Sequence, residues 1–268
     1  MSENETSIEE VTENSISEIS EQVELPIGIE KDGVRYKTVV LDEFSGVDEQ
    51  LMADKKRVGK NNAKGMTLVL SRAIQEIVGL IPRKKNPDAL LDYNLIRNMY
   101  QIDRDFLYSR VLLLAEKDET VTRGQCAKCG EIIEEQTILS EQPVIPWPSE
   151  KKTEIEFELK KGFFYEGKWH KKGTIRFARG SDQEQLSILS QTNRAQAVSA
   201  MIAACVTKLG DMDGLDQSQA ARLKSRDRLH LLNTIRDKTP GLKMWSMMTC
   251  PSCMAEVEGI LDLTNFLI

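Results

Sequence analysis

The sequence has no long apolar run. Its longest, residues 200–206, covers seven positions, against the roughly 20 a membrane-spanning helix needs, so no transmembrane helix is expected. A basic, apolar leader is missing from the first residues, and a cytosolic location is the expectation. Histidine is scarce, with only His170 and His230 present. The motifs G-x-G-x-x-G, P-loop, H-E-x-x-H and G-x-S-x-G are all missing. Aromatic residues are 6% of the chain, few for base-stacking platforms. Residues 1–22 hold no Lys or Arg but seven Glu. That segment cannot bury enough apolar surface to offset ordering, so a disordered acidic tail is expected. With a net charge of −6 overall, the body beyond those glutamates carries about +1. A nucleic-acid binder normally shows a basic excess, so nucleic acid is not the expected partner.

What is present is a globular composition, 40% hydrophobic and 29% charged over 268 residues, enough for one large domain or two small ones. It reads as one unit written twice. Glu24-Leu25-x-x-Gly28 matches Glu158-Leu159-x-x-Gly162 at an offset of 134, which also pairs Gly33 with Gly167, Lys37 with Lys171, Gly46 with Gly180 and Asp48 with Asp182. Glycines recurring in one register imply recurring turns. A hairpin is expected around Asp32-Gly33, with residues 39–44 after it, and another around Glu166-Gly167, with residues 174–178 after it.

At an offset of 128, Val69, Leu70, Ala73, Ile74, Ile77, Val78 and Ile81 fall on Ala197, Val198, Met201, Ile202, Cys205, Val206 and Leu209. This apolar stripe predicts one amphipathic helix per copy running through all seven positions. The first copy would then carry six extra residues in the loop 55–64. A second helix is expected around Arg104-Asp105-Phe106-Leu107 and, at an offset of 122, Arg226-Asp227-Arg228-Leu229. The basic run Arg83-Lys84-Lys85 reads as a solvated loop. The fold class expected is α+β: an acidic tail (1–22), a first lobe (23–142), a proline-rich linker (143–150, with Pro143, Pro146 and Pro148 around Trp147) and a second lobe (151–268).

Each copy ends in a Cys pair, Cys126-Ala127-Lys128-Cys129-Gly130 and Cys250-Pro251-Ser252-Cys253, followed by strand-like sequence. A C-x-x-C turn sets two sulfurs on one side of a tight loop, but structural zinc takes four ligands. The reading adopted is that the copies pack about a pseudo-twofold axis and share one structural Zn²⁺ held by Cys126, Cys129, Cys250 and Cys253. A bare reduced site, a redox dithiol and two separate sites remain as alternatives. Cys205 lies on the apolar stripe and reads as core.

No reaction centre is legible. His170 and His230 fall opposite Tyr36 and Tyr108, as packing rings do. Asp105 and Asp227 read as helix salt bridges or caps, and Asp48 and Asp182 as helix N-caps. A closed four-sulfur site leaves no position for a reactive water. A non-enzymatic protein is therefore expected. Lys160-Lys161, Lys168 and Lys171-Lys172 around Phe163, Phe164, Tyr165 and Trp169 form the clearest basic-aromatic patch. This patch leaves a zinc-ribbon nucleic-acid adaptor as the alternative function.

The residues Gly46-Val47-Asp48-Glu49-Gln50, Arg104-Asp105-Phe106-Leu107 and Cys126 to Gly130, with their second-copy matches Arg179-Gly180-Ser181-Asp182, Arg226 to Leu229 and Cys250 to Cys253, carry a likeness. In this order, behind an acidic tail, the chain resembles the baseplate hub assembly chaperone family of T-even-type contractile-tailed phages and related injection systems. The resemblance covers most of residues 24–268; Met254 stands where the first knuckle has Gly130. It implies a small protein that assists, or is built into, the tail baseplate. Its partners would be tail or baseplate subunits, its place the bacterial cytoplasm or the virion, and it would have no catalytic residues. Phe163, Phe164 and Trp169 are the expected contact surface.

Overall fold

A computed structural model describes residues 20–147 and 152–263 of the chain. Residues 1–19 of the expected tail lie outside the described residues. Residues 20–22 open the first strand instead, and Glu21 is ion-paired to Arg110.

The first half runs β1 (Ser20–Lys31), β2 (Val34–Asp42), α1 (Gly46–Ala53), α2 (Asn62–Ala73), β3 (Ile74–Ile77), α3 (Tyr93–Asn98), α4 (Gln101–Leu114), β4 (Glu119–Gln125) and β5 (Ile132–Ile138). A short β6 (Val144–Ile145) follows. The second half runs β7 (Glu154–Tyr165), β8 (Lys168–Arg176), α5 (Gly180–Thr192), α6 (Arg194–Cys205), β9 (Val206–Leu209), α7 (Gln217–Arg222), α8 (Ser225–Lys238), β10 (Gly241–Leu242), β11 (Trp245–Thr249) and β12 (Glu256–Asp262). Helices and antiparallel sheets occur in both halves, an α+β architecture. Two three-stranded sheets, β1-β2-β3 and β7-β8-β9, each carry helices, and a four-stranded sheet, β11-β12-β4-β5, draws on both halves.

Both expected hairpins form, turning at Asp32-Gly33 and Glu166-Gly167 with positive φ at all four residues. Each long first strand is bulged, between Glu24 and Ile29 and between Glu158 and Phe163. The bulge glycines, Gly28 (φ 100°) and Gly162 (φ 88°), lie against the backbone carbonyls of Tyr36 and His170, where a Cβ would not fit. A bulge frees N–H groups from the ladder, and they need an acceptor. Asp103 on α4 accepts from the backbone N–H of Ile27 (2.8 Å) and Gly28 (2.9 Å). Asp227 on α8 accepts from those of Lys161 (3.0 Å) and Gly162 (3.1 Å).

The apolar stripe is not one helix. α2 ends at Ala73 and α6 at Cys205, and the next four residues pass into strands that pair with β2 and β8. Ile74 and Ile77 are fully buried in the strand just as they would be on a helix. Spacings of three and four residues satisfied both readings, and chain direction decided between them. Lys84 is not solvated either. Its Nζ donates to the carbonyls of Ser71 (2.9 Å) and Arg72 (2.6 Å), the last carbonyls of α2, and burial pulls the ammonium down to about 8.

Asp48 and Asp182 stand at the third helical position, not at the N-cap. Their carboxylates accept from the backbone N–H of Ser45 and Arg179, each at 2.8 Å. Asp48 is also bonded to Arg72 (2.6 Å), which itself is almost wholly buried and bonds to Asp42 (3.1 Å) and the Glu43 carbonyl.

One core lies under β1–β3 and α4 and takes in Leu261 and Leu263 from the end of the chain. A second lies under β7–β9, α6 and α8, and contains the fully buried Cys205. Between the halves, Ile27, Tyr100, Ile102, Ile155 and Phe177 pack together with Trp147. The expected linker is thus tied down over its first part. Residues 144–145 pair with β10, and Trp147 lies under the Arg35 guanidinium at 4.8 Å. Residues 148–151 are outside the described residues.

Candidate metal centre

The hairpins β4–β5 and β11–β12 lie side by side, with β12 against β4 in the register Ile260↔Arg123 to Asp262↔Val121. Their turns therefore emerge at the same end of one sheet. Each turn is a C-x-x-C knuckle closed by the same two backbone bonds. Gly130 N–H reaches the Cys126 carbonyl (2.9 Å) and Cys126 N–H the Glu131 carbonyl (2.8 Å); Met254 and Cys250 repeat this against Cys250 and Ala255, both at 2.9 Å. The closing residue must be left-handed: Gly130 has φ 81°, and Met254 adopts φ 58° in the same place.

All four sulfurs fall within 4.8 Å of one another. Cys126 Sγ is 3.5 Å from Cys253 Sγ, and Cys129 Sγ is 3.6 Å from Cys250 Sγ. A tetrahedral four-sulfur site with metal–sulfur bonds of 2.3 Å has sulfur–sulfur edges of about 3.8 Å, whereas a disulfide needs about 2.05 Å. The spacing fits shared coordination and not oxidation across the pairs.

The electrostatics agree. The backbone N–H groups of Cys129 and Lys128 point at Cys126 Sγ and pull that thiol down to about 6. Ala255 N–H faces Cys253, yet burial and the crowding of Cys126, Cys129 and Cys250 hold that thiol up at about 12. Crowded thiols resist ionising together unless a cation shares the charge. Below the knuckles Ile133, Met248 and Val257 are buried and make a dry floor. Cys126 and Cys250 sit on that floor, Cys253 is half-exposed and Cys129 exposed. Four sulfurs so placed could hold a metal ion, and the structure brings together all four residues singled out by spacing.

The other expected site residues lie elsewhere. His170 is buried on β8 beside Gly210. The basic-aromatic patch is a real surface at the tip of β7–β8, where Phe164 and Trp169 are exposed with ring centroids 5.4 Å apart. Phe163 is not part of it, since it points into the second core. Burial pushes both Asp103 and Asp105 up to about 6. Asp103 holds the bulge, and Asp105 accepts from Gln101 (3.2 Å) and Gln183 (3.3 Å).

The sequence reading paired Asp105 with Asp227. The structure pairs Asp103 with Asp227, 124 residues on, the same offset that separates the Cys pairs. That shared offset was the available signal. It also matches Arg104 with Arg228 and leaves Asp105 opposite Leu229. Missed altogether was Glu184 on α5, buried between the halves. Its carboxylate accepts from Thr67 Oγ1 (2.6 Å), Tyr93 OH (2.8 Å) and Arg97 Nε (2.9 Å).

Among the described residues no helix is long and apolar enough to cross a membrane. No protein-family model, curated protein or solved structure matches the chain.

Proposed function

We propose that the protein is a non-enzymatic assembly protein of a phage tail baseplate, built from two duplicated lobes that one zinc ion staples together. The single observation that carries the zinc reading is four cysteine sulfurs within 4.8 Å, delivered by two knuckles 124 residues apart. A four-thiolate, tetrahedral donor set suits Zn²⁺. When bound, zinc would supply only cross-linking, on the order of 10–16 kcal/mol by comparison with small zinc peptides. Cys126 and Cys129 would hold it from the first lobe, and Cys250 and Cys253 from the second.

Support for the duplication is that matched residues make matched contacts: the bulge glycines with Asp103 and Asp227, the capping aspartates Asp48 and Asp182, and the two knuckles. Support for the baseplate role is the motif order and the exposed Phe164–Trp169 pair, which offers aromatic surface to a tail subunit. Assembly would take place in the bacterial cytoplasm. The lysines at the same tip favour one second reading, a nucleic-acid adaptor, which requires binding that weakens steeply with salt.

Two measurements test this. Purified protein should contain one zinc per chain by elemental analysis, and Cys250→Ser should lose the metal and lower the melting temperature. Iron in its place would overturn the choice of zinc, and unchanged melting would remove the staple. Co-expression with the hub subunits of a contractile tail should yield a complex that Phe164→Ala with Trp169→Ala weakens at least tenfold. No complex, or salt-sensitive DNA or RNA binding instead, would sink the baseplate role.

A further inference from the structure

The contact between the halves is one-sided. α5 packs on α2, α3 and α4, with Gly180 N–H bonded to the Met99 carbonyl (3.0 Å) and the Asn61 side-chain amide to the Glu184 carbonyl (2.8 Å). Arg104 lies beneath, its guanidinium donating to the Ala63 carbonyl (2.9 Å) and fully buried because Gly180 covers it. A Cβ at Gly180 would overlap that guanidinium, so the close approach requires glycine.

The second half contains the matching groove, and among the described residues no helix fills it. Asn193 caps α6 as Asn61 caps α2, each through its side-chain oxygen to the N–H three residues on. Ser199 stands where Thr67 stands, 132 residues earlier, and each hydroxyl bonds the carbonyl four residues back. Arg228 repeats Arg104, donating to the carbonyls of Ala220 (2.8 Å) and Ala195 (3.3 Å), the counterparts of Ile96 and Ala63. Here the guanidinium is not covered. Asn193, Ala195, Ser199, Ala221 and Arg228 line an open groove of about 760 Å³.

The element that matches α5 is α1, 134 residues earlier, and its corresponding face is open to solvent apart from an ion pair of Glu49 with Lys117. Gly46, Val47, Glu49 and Gln50 are exposed. Gly46 has helical φ and no atom within 4 Å of a would-be Cβ, so nothing in its own half calls for glycine. Gly180 is glycine because an arginine approaches it; Gly46 is ready for the same approach. The charges match as well. The first groove holds Arg97 and receives Glu184. The second has Ala221 at the place of Arg97, and α1 has Gln50 at the place of Glu184. Cation and anion are absent together.

We infer that α1 of a second copy of this chain docks in the α6–α7–α8 groove, with Gly46 over Arg228 and Gln50 beside Ser199, so that chains join head to tail. Such a contact is heterologous, each copy keeping one free α1 and one free groove, so growth continues unless the ends meet. The inference uses the matched contacts alone and is independent of the baseplate reading.

The test is the mass of the zinc-loaded full chain by light scattering or sedimentation over a concentration series. Wild type should grow past the dimer. Gly46→Tyr blocks one end and Ala221→Trp the other, at positions open to solvent, so each alone should stay a monomer where wild type has grown. Mixed one to one, the two variants should form a dimer and nothing larger, since each keeps one working surface. Where either variant loses zinc or its circular dichroism, Gln50→Trp and Ser225→Trp place the same blocks. A wild-type monomer up to about 1 mM, single variants that still associate, or a mixture that stays monomeric would each overturn the inference.

Discussion

Met254 occupies a backbone position that its side chain disfavours. It is 75% exposed, so its thioether buries little, and its φ of 58° carries the left-handed cost of about 1–2 kcal/mol for a residue with a Cβ. The first knuckle avoids this with Gly130. Met254→Gly should therefore stabilise the metal-loaded protein by about 1 kcal/mol in urea unfolding, against the usual direction for glycine substitutions. Asp105 offers a second residue-level test. Burial raises its pKa to about 6, outweighing Arg104, Gln101 and Gln183, which pull it down. The folded pKa lies above the unfolded value, so the native chain takes up a proton between about pH 4 and 6 and loses stability as pH rises through that window. Asp105→Asn cannot ionise. Its stability relative to wild type should climb by on the order of 2 kcal/mol between about pH 4 and 7 and level off above. Comparing the two proteins at each pH cancels the shared effect of acid on the cysteines.

At the scale of elements, α1 and α5 begin with the same glycine for reasons that only one of them displays. Gly180→Ala forces a methyl group against the Arg104 guanidinium and should cost about 1–3 kcal/mol. Gly46→Ala meets nothing and should be neutral or gain up to about 1 kcal/mol from helix propensity. Thermal unfolding in dilute solution separates the two. The hairpins were legible because Asp-Gly and Glu-Gly turns and bulge glycines leave fixed marks in the sequence. The helix ends were not. A stripe of Val69, Leu70, Ala73, Ile74 and Ile77 is apolar at spacings common to a helix and to the helix-then-strand that forms. The same ambiguity slid the two stripes by one helical turn. Ala73, not Ile77, is the counterpart of Cys205, and the N-caps Asn61 and Asn193, 132 residues apart, fix that register. A four-residue slip keeps apolar on apolar, so hydrophobicity could not detect it. A single capping side chain could. The extra length of the first half between strand and helix is accordingly two residues, not six.

At the scale of the whole molecule, the cysteine cluster and the packing of α5 on α2, α3 and α4 are separate contacts between the halves. Chelation of the full chain should then loosen the β11–β12 hairpin without unfolding the β1–β3 core. Amide exchange should quicken in β11 and β12 by tenfold or more while Val39, Leu41 and Leu70 stay protected, since those residues are fully buried. The expected pseudo-twofold packing fails in the sheet, where β12, the second strand of its hairpin, pairs with β4, the first strand of the other. It fails in the helices too, where α5 fills a groove and α1 fills none.

By itself the sequence determined the four clustered cysteines and the two hairpins, and it placed Asp48 and Asp182 in the first turns of helices. Each depends on short-range chemistry: turn glycines, chelate spacing and capping carboxylates. Only the tertiary structure decided where the stripes leave the helix, that Asp103 rather than Asp105 serves the bulge, that Glu184 is buried between the halves, and that one groove is full and its counterpart open. Those outcomes depend on which surfaces meet across more than a hundred residues, and local sequence pattern does not encode that pairing.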